Sequence, residues 1–83
     1  MGRRLLRLGR HLEAIEAALA AIAEEPLRES AHAALIDIFL AERNVAQARS
    51  QLDRYAALLW SELAISPSVE LTNRVAAAME TSR

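Results

Sequence analysis

Apolar residues recur along this chain at intervals of three and four, the spacing of one side of an α-helix. Leu12, Ile15, Leu19 and Ile22 form one such stripe, with Arg10, Glu13 and Glu16 off it. Val45, Ala48, Leu52, Tyr55, Leu59 and Leu63 form a second, widened by Leu58 and Trp60. Between them, residues 27–41 are apolar almost all round, and only a narrow strip with Glu29 and Asp37 is polar. A helix of that kind is covered on more than one side, so it is predicted to be central. Leu71, Val75, Ala78 and Met79 mark the buried face of a last segment.

Punctuation sets the predicted boundaries. Gly2, Gly9, Pro26 and Pro67 are the only glycines and prolines. Residues 3–8 are expected to end at Gly9 as a helix-terminating glycine, and a second helix to run over 10–23. A third is expected over 27–41, with Pro26 at or near its first turn. Asn44 is a good cap for a fourth over 45–62, and Ser66-Pro67 reads as the cap and first position of a fifth. Five segments in all are predicted, folding back near 24–27 and 42–44. An offset of 34 residues pairs Gly9 with Arg43 and Ala14 with Ala48. That is the period of a tetratricopeptide repeat, two antiparallel helices per unit. Ala14, Ala21 and Pro26 fall where such a unit wants two small residues and a helix stop.

Composition narrows the class. Eighty-three residues make one domain at most. Ala, Leu, Glu and Arg dominate and are the best helix formers, while strand-forming residues are few. The expected class is all-α. The absence of cysteine excludes a disulfide scaffold and thiol chemistry. A net charge of −1 leaves no overall footprint for nucleic-acid binding. No apolar run approaches membrane-spanning length.

Three stretches carry a more specific resemblance. Residues 6–15, Leu-Arg-Leu-Gly-Arg-His-Leu-Glu-Ala-Ile, are similar to an "LLRxGRxxEAL" helix entry. Residues 25–32, Glu-Pro-Leu-Arg-Glu-Ser-Ala-His, resemble a "dPLREeaH" junction, and residues 58–71 an "LLxeELGvePspEL" ending. Together they resemble the bacterial transcriptional activator domain, the tetratricopeptide-like module of Streptomyces-type antibiotic regulatory proteins and related regulators. The resemblance implies antiparallel helical hairpins making one and a half to two repeats over residues 1–83. It also implies a cytoplasmic, non-catalytic protein–protein interaction and oligomerisation role in activating transcription. The partner would be another part of the same regulator, a second protomer or the transcription machinery. In that register Arg3, Leu6 and Arg7, followed by Ser30, Ala33, Asp37 and Leu40, would line the groove that grips a partner.

The departures are specific. Arg43 and Ala64 stand where the family usually has glycine, so both turns are expected to adapt, and Leu52 replaces a common tyrosine. The family module normally has further N-terminal helices and follows a winged-helix DNA-binding domain, to which DNA contact would belong. Neither fits in this sequence, which is expected to be a piece of such a regulator, a truncated paralogue or a stand-alone form. A solenoid needs about three repeats with polar ends. With fewer, the chain is predicted to form a homodimer or higher assembly.

Other chemistry finds little support. Glu29 and His32 form one Glu-x-x-His pair, half of a di-iron carboxylate set that needs two such pairs and two more carboxylates. Glu29 reads better as a first-turn carboxylate and His32 as a packing residue of the hairpin. No phosphate loop, nucleophile elbow or paired carboxylate is present, so no catalytic residue, cofactor or metal ligand is assigned. Arg3, Arg7 and Arg10 share a helical face that reads first as solvated, then as a patch for an acidic protein, and last as a phosphate contact. No aromatic residue interleaves with them for base stacking. Trp60, Tyr55 and Phe39 are expected in the core, with an exposed Trp60 as the alternative. A stand-alone helical adaptor unrelated to transcription is the competing function.

Overall fold

The computed structural model describes the backbone of residues 2–81 and the side chains of residues 9–81. The described residues form four helices and no strand: α1 (Gly2–Glu24), α2 (Glu29–Ala41), α3 (Val45–Leu63) and α4 (Val69–Thr81). Each packs antiparallel on the next, and α2 touches the other three. The array is thin, 47 × 34 × 16 Å.

Four helices stand where five segments were expected, because Gly9 does not end the first. It lies inside α1 without a positive φ. Glycine within a helix costs about 1 kcal/mol relative to alanine. The leucines, arginines, alanines and glutamates on either side outweigh that. The 34-residue repeat therefore does not extend to the helix breaks: Arg43 sits in a turn, Gly9 in mid-helix.

The turns show how the chain reverses. After α1, residues 25–28 close a turn in which the Arg28 amide donates to the Glu25 carbonyl at 3.1 Å. Pro26 occupies its second position, where a φ fixed near −65° is an asset, rather than the first turn of α2 as predicted. An Arg28–Glu25 ion pair of 2.7 Å spans the same turn. At the end of α2, Arg43 adopts φ 61°. The Arg43 amide donates to the Leu40 carbonyl and the Asn44 amide to the Phe39 carbonyl, 3.0 and 2.8 Å. That is a Schellman closure with arginine at the left-handed position. Asn44 then caps α3 as predicted, its Oδ1 accepting from the Gln47 amide at 3.4 Å. Ala64, φ 54°, closes α3 in the same left-handed way. The turns have thus kept the shape that suits glycine, and the substituted residues take up the strain. The cap of α4 is Ser68, whose Oγ accepts from the Leu71 amide at 3.2 Å, not the expected Ser66.

The core lies between α2, α3 and α4: Ile36, Ala48, Leu52, Tyr55, Leu59, Leu71 and Val75 are buried together, with Leu27, Phe39, Leu40 and Met79 against them. Ala18, Ala31 and Leu35 are buried where α1 lies on α2. Small residues there let the two helices approach closely. Two expectations for α3 need correction. Trp60 is 64 % exposed and Leu63 54 % exposed, so neither belongs to the core. Tyr55 already reaches Glu29, the first residue of α2. The last turns of α3 therefore run past the start of α2, which leaves Leu63 outside the described core.

Candidate interaction surfaces

One end of the array is held by a polar cluster that no local pattern announces. Glu29, at the start of α2, accepts from the Ser68 amide at 2.9 Å and from the Tyr55 hydroxyl at 3.4 Å. One carboxylate thereby joins α2 to α3 and to the loop before α4. His32, one turn on, is buried and stacks on the Tyr55 ring with centroids 4.3 Å apart. With the proton on Nε2, the imidazole donates to the Pro26 carbonyl at 2.8 Å and accepts from Gln51 Nε2 at Nδ1, 3.0 Å away. Glu29 and His32 thus face structural partners, and both imidazole nitrogens are engaged. The described residues contain no group of three or more His, Asp or Glu placed to hold a metal.

The cluster sets the acid–base behaviour of its members. Partial burial pushes the Glu29 carboxyl up, but the Ser68 and Tyr55 hydrogen bonds and the Arg74 charge outweigh it and leave the carboxyl below its ordinary value. Burial, then the Glu29 charge and hydrogen bond, push the Tyr55 hydroxyl up. Glu29 is therefore ionised and Tyr55 neutral at pH 7, the combination in which Tyr55 can donate.

Of the groove residues implied by the family register, four fall on one face of α2. Ser30 is exposed, and Ala33 and Leu40 are half-buried against the core. Asp37 is exposed and accepts from Arg74 Nη1 through both oxygens, 2.8 and 3.0 Å. α4 lies along this face and Arg74 occupies part of it. Arg3, Leu6 and Arg7 belong to α1, but their side chains lie outside the described residues. A cleft of 360 Å³ opens between α3 and α4, lined by Arg49, Leu52, Pro67, Val75 and Met79 among others. It holds an exposed Arg49–Asp53 ion pair of 3.5 Å.

Among the described residues, two apolar surfaces are exposed. One gathers Trp60, Leu63, Ile65 and Val69 around the α3–α4 loop. The other runs along α1. The stripe Leu12, Ile15, Leu19, Ile22 is helical as predicted, yet it is only partly covered. Ala18 is buried and Ala14, Ile15, Ala21 and Ile22 are half-buried, while Leu12 is 60 % and Leu19 50 % exposed. His11 Nδ1 lies 2.7 Å from Glu42 Oε1, level with the turn after α2. The nine residues of α1 before His11 therefore project beyond that turn. No described helix is long and apolar enough to cross a membrane.

The family model described as "Bacterial transcriptional activator domain" matches residues 1–78. No curated protein and no solved structure matches the chain.

Proposed function

The chain therefore belongs to the bacterial transcriptional activator domain family, and from that membership we propose that it is a non-catalytic interaction and oligomerisation module of a cytoplasmic transcriptional regulator. In this reading the helical hairpins are tetratricopeptide-like. They engage a protein partner: another part of the regulator, a second protomer or the transcription machinery. DNA contact is left to a winged-helix domain. Ser30, Ala33, Asp37 and Leu40 on α2, continued by Arg3, Leu6 and Arg7 on α1, are the groove positions it assigns.

The observation that carries the reading is the exposure of Leu12 and Leu19. Two leucines one heptad apart stand open on a helix whose other side is already packed, a surface suited to a macromolecule. The test is transcription from a promoter bearing operators of an unrelated DNA-binding domain fused to this chain. The fusion is expected to activate above the bare domain, and L12E/L19E to reduce that activation. A fusion no more active than the bare domain would overturn the transcriptional role. Should it still self-associate, the stand-alone adaptor becomes the better account.

A further inference from the structure

We draw no further inference here: the strongest candidate, the exposed apolar patch of Trp60, Leu63, Ile65 and Val69 around the loop between α3 and α4, carries nothing because nothing in the structure shows what covers it.

Discussion

α1 and α3 carry the same kind of stripe and come to different ends. Along α3, Ala48, Leu52, Tyr55 and Leu59 are buried because α2 lies on one side and α4 on the other. Along α1, α2 is the one described helix in contact; Ala18 is buried against it, and Ile15 and Ile22 are half-buried. Its leucines face outward. Periodicity thus identifies which side of a helix is apolar, but not what covers it. That is decided by how many neighbours the topology supplies.

The sharpest way to break this contrast is to truncate one leucine on each helix. Leu59→Ala, at a side chain 3 % exposed, is expected to destabilise the fold by about 2–5 kcal/mol in urea titration. Leu19→Ala, measured dilute enough to be monomeric, should change stability by less than about 0.5 kcal/mol. Comparable losses at both positions would mean that the α1 stripe belongs to the chain's own core.

Next in size is the polar cluster that holds one end of the α2–α3–α4 unit. Glu29→Ala leaves the Ser68 amide and the Tyr55 hydroxyl without their acceptor and should cost about 1–2 kcal/mol. Its pH dependence is distinctive. The Glu29 carboxyl lies below its ordinary value of 4.5 in the fold. Its contribution is therefore complete above pH 4.5 and lost as pH falls through the folded value. The wild type should weaken in that acid window, and Glu29→Gln should weaken less steeply there. Identical acid limbs for the two proteins would remove Glu29 from the account.

A glycine and an alanine stand at each other's preferred positions. A Cβ at Gly9 would meet nothing within 4 Å, so Gly9→Ala should stabilise by up to about 1 kcal/mol. Ala64 holds φ 54°, so Ala64→Gly should relieve about 1 kcal/mol of left-handed strain. Thermal melts of the two variants check both. The smallest effect is expected from Arg74→Ala. It breaks an exposed ion pair with Asp37 and should cost about 0.5 kcal/mol. It should also move the acid limb to higher pH, because the Arg74 charge helps keep the Glu29 carboxyl low.

Much of this architecture is legible in the sequence, for identifiable reasons. The 3–4 stripes, the Asn44 cap and the nearly all-apolar 27–41 segment are local signals, and they correctly give helices, a reversal at 42–44 and a central α2. One of the three stretches that carry the family resemblance is the junction at residues 25–32, whose Glu29 and His32 are the residues that clasp the helices. That clasp itself was invisible. Glu29 and Ser68 are 39 residues apart and meet through one carboxylate and one backbone amide, a contact with no sequence pattern. Gly9 misled because glycine signals a helix end only when its neighbours let the helix stop. Trp60 and Leu63 misled because their burial depends on where α2 ends. Of the residues that the family register implies for a groove, Ser30, Ala33, Asp37 and Leu40 share one face of α2 by helical spacing. The sequence did not reveal that Arg74 would lie across Asp37.

The central claim is that the chain is an interaction and oligomerisation module whose exposed α1 leucines, Leu12 and Leu19, take part in association. The most direct test is the melting temperature of the wild type and of L12E/L19E across a range of protein concentrations. The account predicts a wild-type midpoint that climbs with concentration, as association requires, and a variant midpoint that does not move. A wild-type midpoint independent of concentration would contradict it.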